Sequence, residues 1–397
     1  MTRRARTLLI LSVAAQAAVS IVQFGLPAIG LEVRDALDVG PAGFGVVFAA
    51  VGLGSAAVLL PTGMLVDRFG ARPVLLAGAA LNATGYVIAS SSSDATVFAC
   101  ALFVAGIGSA SVPVAGMSAL LREFPPEKRG IALGWRQLAV PLGGTIGAAM
   151  LPLLAHAGGV RLAMLVAAGL TASTAALFAL RSPGGGGETA SLRLDGVLSA
   201  PGMRPVMALG LLYAFALSAT LTYIVPAARE LDITAAQAGV LFAVVNVSAA
   251  AARLVWGRLA DRHGGTRRAR TLAETGALAA GAALLMPLAL RAGVVPAVVV
   301  ACALSFGAFG FNGVLYVTAG EIAGAERAGR AVGVASTVVF ACTSALTPVA
   351  GLVAETFGYD AMWLLGAASS ATGAAIAATL LTRAVGPRRS VLVEAAA

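Results

Sequence analysis

Charged positions divide the chain into twelve uncharged stretches: 7–31, 39–66, 73–93, 95–121, 137–160, 162–180, 205–228, 233–252, 275–290, 292–320, 331–354 and 361–382. Most reach or exceed the roughly 18 residues at which an apolar run reads as a membrane-crossing helix. The 275–290 stretch is short, and reaches spanning length if Glu274 sits in the first turn of its helix. No stretch alternates apolar and polar residues as a transmembrane strand does over about ten positions. Internal Gly and Pro are tolerated in spanning helices, because neighbouring helices re-satisfy the freed backbone groups. The first stretch follows arginines and carries small residues, as a cleaved signal would. It continues to Ile29 with eleven more stretches behind it, so it reads as a helix that stays. The pattern predicts an all-α polytopic membrane protein with twelve transmembrane helices.

The arginines between the stretches orient the helices. With the N-terminus in the cytoplasm, cytoplasmic segments hold 21 of the 27 basic residues and external loops hold four: Arg34, Arg161, Arg229 and Arg291. Such a bias is the positive-inside rule at work, and it puts both termini in the cytoplasm. It also explains the net charge of +9 without nucleic acid. Residues 183–204 form a longer cytoplasmic segment with a run of four glycines, the composition of a flexible linker. The expected organisation is a six-helix bundle over 1–182, a linker over 183–204, and a second six-helix bundle with a short cytoplasmic tail over 205–397.

Composition narrows the class. Hydrophobic residues make up 59% of the chain and charged residues 11%, with mean hydropathy +0.91. Soluble domains carry roughly 25% charge, so a water-soluble enzyme is excluded, and disorder with it. Three separated cysteines (Cys100, Cys302, Cys342) and two histidines (His156, His263) form no disulfide framework and no metal cage. Neither a metal nor a cofactor is expected. No P-loop, nucleophile elbow, metalloprotease helix or dinucleotide glycine pattern is present, and no cytoplasmic segment has room for a nucleotide-binding domain.

The two halves repeat one another. Gly63, Leu65, Asp67, Arg68 and Gly70 follow the second stretch; Gly257, Leu259, Asp261, Arg262 and Gly264 follow the eighth at an offset of 194. Glu127, Gly130 and Gly134 recur as Glu326, Gly329 and Gly333 at an offset of 199. On these residues the chain resembles the major facilitator superfamily, whose loop signature after helix two reads G-x-L-a-D-R-x-G-R-[RK]. Here Arg72 closes the motif and Ala71 replaces a basic residue. The resemblance covers the whole chain. It implies two pseudo-symmetric bundles around a central pathway and transport by alternating access in the cell membrane. It also implies a latch on the cytoplasmic side, engaged in the outward-open state and built from Gly63, Asp67, Arg68, Arg72, Gly257, Asp261 and Arg262. A glycine there lets two helices approach closely, and an aspartate suits a helix N-terminus or an arginine partner.

Two charges lie inside spans. Arg136 falls about five residues, or about 8 Å, into a fifth helix that starts near Ile131. Arg253 falls four residues before Gly257 in the eighth. In the family, helices five and eight face each other across the two halves. No Asp or Glu lies mid-span, so two unneutralised arginines suit an anionic substrate, gripped in bidentate fashion if it is a carboxylate. The competing reading has both snorkel to headgroups or pair with Glu123, Asp261 or Glu321. Gln23, Gln137, Asn246, Asn312 and Tyr316 join Arg136 and Arg253 as candidate substrate contacts. Other span residues, Gln16, Asn82, Tyr86, Tyr213 and Tyr223 among them, read as interhelical hydrogen-bond partners. Phe306, Phe309 and Phe311 read as packing.

Coupling is less legible. Proton-driven carriers use intramembrane carboxylates or histidine, and only Glu274 and His156 lie near. Antiporters of the resembled family often carry an arginine where this chain has Leu102. Pro141, Gly143 and Gly144 loosely match the family's antiporter signature, and read better as close-packing residues. The leading reading is a secondary transporter of a small anionic or polar metabolite. It is expected to act as a monomer among membrane lipids, with a co-transported ion or proton left open. The alternative is a proton-driven exporter of a hydrophobic drug or secreted metabolite. A sensor or enzyme on a transporter fold stands third.

Overall fold

The computed structural model describes residues 3–124, 126–182, 199–261, 264–324 and 328–381. Among these the architecture is all-helical. The helices are α1 (Arg3–Gly25), α2 (Gly30–Leu37), α3 (Pro41–Phe69), α4 (Ala71–Ser90), α5 (Ala95–Ser109) and α6 (Ser111–Glu123). They continue with α7 (Pro126–Arg181), α8 (Met203–Glu230), α9 (Ala235–Asp261), α10 (Gly264–Arg291), α11 (Val294–Ala323) and α12 (Ala328–Ile376). Ten segments are long and apolar enough to cross a membrane. The outward faces carry exposed side chains such as Leu153, Val295 and Phe357, each at least 70% exposed, a surface that only lipid covers without cost.

Two helices are too long to cross once. At 1.5 Å per residue, the 56 residues of α7 and the 49 of α12 would run about 84 and 74 Å, against a hydrocarbon core of about 30 Å. Each breaks at glycine. Gly158 and Gly159 are non-helical in α7, with Gly159 at φ +68°, and Gly358 is non-helical in α12 at φ +82°. A positive φ is open to glycine and strained for other residues. The breaks fall where Arg161 and the Glu355–Asp360 pair end uncharged stretches.

Within the first half, α1 packs on α7, α4 on α5 and α7, and α3 on α5; within the second, α8 packs on α12, α9 and α12 on α11 and α10 respectively, and α10 on α11. The halves meet along two seams, α3 against α12 and α7 against α9. The glycines of the partial antiporter match are packing residues. A Cβ at Gly143 would lie 2.3 Å from the Ala17 carbonyl oxygen, and one at Gly147 2.5 Å from that of Ile21, so α1 and α7 touch backbone to backbone. Helix α10 begins well before the expected point. Glu274 lies beyond the first turn, in an ion pair with Arg270 at 3.0 Å, so the cost of its charge is shared along one helix face.

Candidate functional site

Between the seams lies a cavity of about 520 Å³, lined by α1, α3, α7, α8, α9, α11 and α12 among others. Arg136, Arg253, Gln23, Asn312 and Tyr316 all line it. Asn246 does not. Its amide donates to the Phe242 carbonyl at 3.0 Å and abuts Gly144, where a Cβ would sit 2.4 Å from Asn246 Oδ1, so it fills the α7–α9 contact. The side chains of Gln137 and Asp261, and Arg262 altogether, lie outside the described residues, as does most of the expected linker.

Arg136 sits deeper than a helix start at Ile131 implies. Because α7 begins at Pro126, the residue lies ten positions in, about 15 Å along the axis. It is 3% exposed. Its Nη2 donates to Gln16 Oε1 at 2.7 Å and to the Val112 carbonyl at 3.2 Å, while its Nε is buried without a partner. Gly116 makes room for the guanidinium, since a Cβ there would fall 2.8 Å from Nε. Of the acids named for the snorkelling-or-pairing reading, the two whose side chains are described are engaged elsewhere. Glu123 pairs with Arg4 at 3.5 Å and Glu321 with Arg268. A buried guanidinium held only by neutral acceptors keeps its full charge uncompensated.

Arg253, half-buried on α9, has no hydrogen bond or ion pair with a described residue. Asn312, one turn from Tyr316 on α11, holds a buried Oδ1 without a partner. The lining therefore brings a cation from each half to one chamber, with no Asp, Glu or His among its described residues.

The two ends of the chamber differ. At one end Tyr223 Oη lies 2.9 Å from the Thr347 carbonyl and 3.1 Å from that of Pro41, within donating distance of both, so α8, α12 and α3 are tied together. A Cβ at Gly45 or Gly351 would fall 2.2 or 2.3 Å from that hydroxyl oxygen. Glu355 accepts the Ala42 N–H at 3.0 Å, placing a carboxylate on the positive end of α3. At the other end, where α3 stops, a Cβ at Gly63 or Gly257 would meet nothing within 4 Å. Asp67 is half-buried and has no partner among the described residues. Arg68 lies over the Phe69 ring at 5.1 Å, Arg72 is exposed, and Gly70 turns the chain at φ +85°.

Sequence reasoning ranked Gln16 below Gln23 as a cavity residue, although the two are seven positions apart and so share one face of α1. It also favoured packing over a substrate platform for Phe309, which is buried and lines the cavity. Tyr223 and Glu355 carry no motif signal, and only the folded proximity of α3, α8 and α12 reveals them. Tyr213 behaves as expected of an interhelical residue, donating to the Leu272 carbonyl at 2.7 Å.

Comparison with known proteins follows the same lines. The sequence profile of the Major Facilitator Superfamily matches residues 8–345 and, in a second overlapping match, 206–396. Two uncharacterized MFS-type transporters of Mycobacterium tuberculosis, from strains CDC 1551 and H37Rv, are each 29% identical over 310 residues, covering 76% of this chain and 69% of theirs. Among solved structures, a bacterial homologue of the human lysosomal transporter Spinster, in an inward-facing and occupied conformation, superposes with a TM-score of 0.78. It is 15% identical, with 97% of both chains covered, a likeness of fold.

Proposed function

The chain belongs to the major facilitator superfamily, and from that premise we propose that it carries a small organic anion across the membrane by alternating access, with Arg136 as the anion-binding group. That it is a multi-pass membrane transporter and not an enzyme follows from the family. The observation that carries the anion reading is Arg136 itself: 3% exposed, with Nε unpartnered at a cavity whose described lining residues include no carboxylate. A buried charge without a counter-ion is costly, and a substrate anion offsets that cost. Among its described residues the same lining offers no Asp, Glu or His to carry a proton, which favours this reading over a proton-driven drug exporter.

The rest of the proposal follows the topology. Breaking α7 at Gly158–Gly159 and α12 at Gly358 makes twelve crossings, in bundles over 1–182 and 205–397 joined by the 183–204 linker, with both termini cytoplasmic. The arginine bias makes the Asp67 end cytoplasmic. The conformation described is then inward-facing, with Tyr223 and Glu355 sealing the external end and the Asp67 latch disengaged.

The test begins with a screen of carboxylates and phosphates for thermal stabilisation of the purified protein, because a ligand of the native state raises its melting temperature. Loss of a charge-assisted hydrogen bond costs about 1.5–3 kcal/mol, so Arg136→Gln should weaken the ligand about ten- to hundredfold. Arg136→Lys, which keeps charge but loses the planar fork, should fall between. Wild-type affinity in Arg136→Gln would overturn the assignment.

A further inference from the structure

The cavity is graded along its length. Counted by helix rise from the terminus of its own helix on the Asp67 side, Tyr316, Ser336 and Arg253 sit about 10–12 Å in and Arg136 about 15 Å. Leu217 and Phe309 sit about 21 Å in, and Leu221, Phe24 and Phe48 deeper still, beneath the Tyr223 seal. All of these residues line the one chamber. Both cations therefore occupy the tier near the Asp67 end, and aromatic and aliphatic side chains dominate the tier beyond it.

The second tier is more apolar than its residue names suggest. Thr343 and Thr347 line it, but their hydroxyls donate to the carbonyls of Val339 and Thr343 in their own helix, each at 2.8 Å. A hydroxyl committed to the preceding turn has spent its proton. Ser55 and Ser109 likewise donate to Gly106 and Ala105, at 2.8 and 2.9 Å. Gln23 and Ser344 remain as isolated polar positions. The volume of about 520 Å³ lies in the range of pockets that enclose drug-sized ligands. A compact anion would occupy the cationic tier and leave the apolar one empty.

We propose that the transported anion is amphipathic, with a carboxylate or phosphate head between Arg136 and Arg253 and an aromatic or aliphatic body in the tier walled by Phe24, Phe48, Phe309 and Phe340. This rests on the anion reading above and narrows it from any small anion to one with an apolar body. It also fixes the pose: head toward the Asp67 end, body toward Tyr223. The unpartnered Asn312 Oδ1, one turn from Tyr316, accepts from a hydroxyl or amine carried close to the head.

The experiment is isothermal titration of the full-length protein in nanodiscs of zwitterionic lipid, with empty nanodiscs subtracting partition into the bilayer. The probes are benzoate, phenylacetate, phenylpropanoate and phenylbutanoate, with acetate, succinate and inorganic phosphate as compact anions and phenylbutanamide as the neutral isostere. Burying one methylene is worth about 0.8 kcal/mol, so affinity should rise about three- to fourfold per added CH2 while the amide binds at least about tenfold more weakly. Phe340→Ala should flatten the chain-length dependence and leave acetate unchanged. Arg136→Gln should weaken every carboxylate and keep the slope. Arg136-dependent binding of acetate or phosphate as tight as that of phenylbutanoate would overturn the amphipathic inference and leave the anion reading standing. Amide and carboxylate binding equally, unaffected by Arg136→Gln, would overturn both. Absence of binding by the whole aryl series at millimolar concentration would overturn the inference as well.

Discussion

The two ends of the cavity join the same two halves by different chemistry. Near Tyr223 the contact is made at backbone range: glycines at 45 and 351 leave room for a phenol whose hydroxyl lies within donating distance of the Pro41 and Thr347 carbonyls, and Glu355 caps the first turn of α3. Near Asp67 the duplicated motif stands apart. Gly63 and Gly257 face open space, and Asp67 has no partner among the described residues. The described residues of the conspicuous motif make no close contact across the halves, and the end that is closely packed has no motif at all. A repeated sequence signature thus marks an interface without saying when it is occupied, whereas a close-packed seal is visible only when formed.

Four substitutions test that contrast, read with a Leu221→Cys reporter in the apolar tier labelled from the Tyr223 side and with transport in proteoliposomes. Gly45→Leu should have the largest effect. Its Cβ would clash with Tyr223 Oη and approach the Thr347 carbonyl to 2.9 Å. Overpacking costs about 1–3 kcal/mol, so labelling should rise about five- to hundredfold and transport should fall to background. Unchanged labelling would show that the seal does not depend on this approach. Tyr223→Phe removes one hydroxyl and two acceptor contacts. At about 0.5–1.5 kcal/mol for a net hydrogen bond, labelling should rise about two- to tenfold.

Glu355→Gln keeps an acceptor for the Ala42 N–H and removes the charge at the N-terminus of α3. A charge there is worth about 0.3–1 kcal/mol and is screened by salt, so labelling should rise about two- to fivefold at low ionic strength and less at high. A salt-independent effect would argue against the helix-end electrostatics. Asp67→Ala should do least to the conformation described. With no partner to lose among the described residues, labelling and ligand affinity should stay within about 0.5 kcal/mol of wild type. Transport should nonetheless slow several-fold, because the outward-open state loses its latch. Equal transport at matched expression would count against the latch.

The route from sequence to site was uneven for physical reasons. Arg136 was readable because a charge within a membrane-crossing helix is rare and costly. Its depth was not, because residues 126–130 carry charges that look like loop and yet continue α7. Gln16 looked like one of several span amides. It becomes the partner of Arg136 through a contact 120 residues away in sequence, which no local pattern encodes. Asn246 shows the converse: a polar residue on the expected helix, turned into the α7–α9 seam by a neighbouring glycine. The breaks in α7 and α12, by contrast, were written locally in glycine beside charge.

The sequence by itself determined that this chain lives in a membrane, that its regular structure is helical, that its halves repeat, and that it carries two cations without mid-span acids. These properties follow from composition, run length and spacing, each set by how the bilayer solvates a backbone and a charge. Tertiary structure alone decided which end is closely packed, that Glu123 and Glu321 are occupied elsewhere, and which side chains line the cavity. Those outcomes depend on which side chains of distant helices reach one another. Contacts of that kind are settled by packing in three dimensions, where one glycine or one rotated helix face changes the partner.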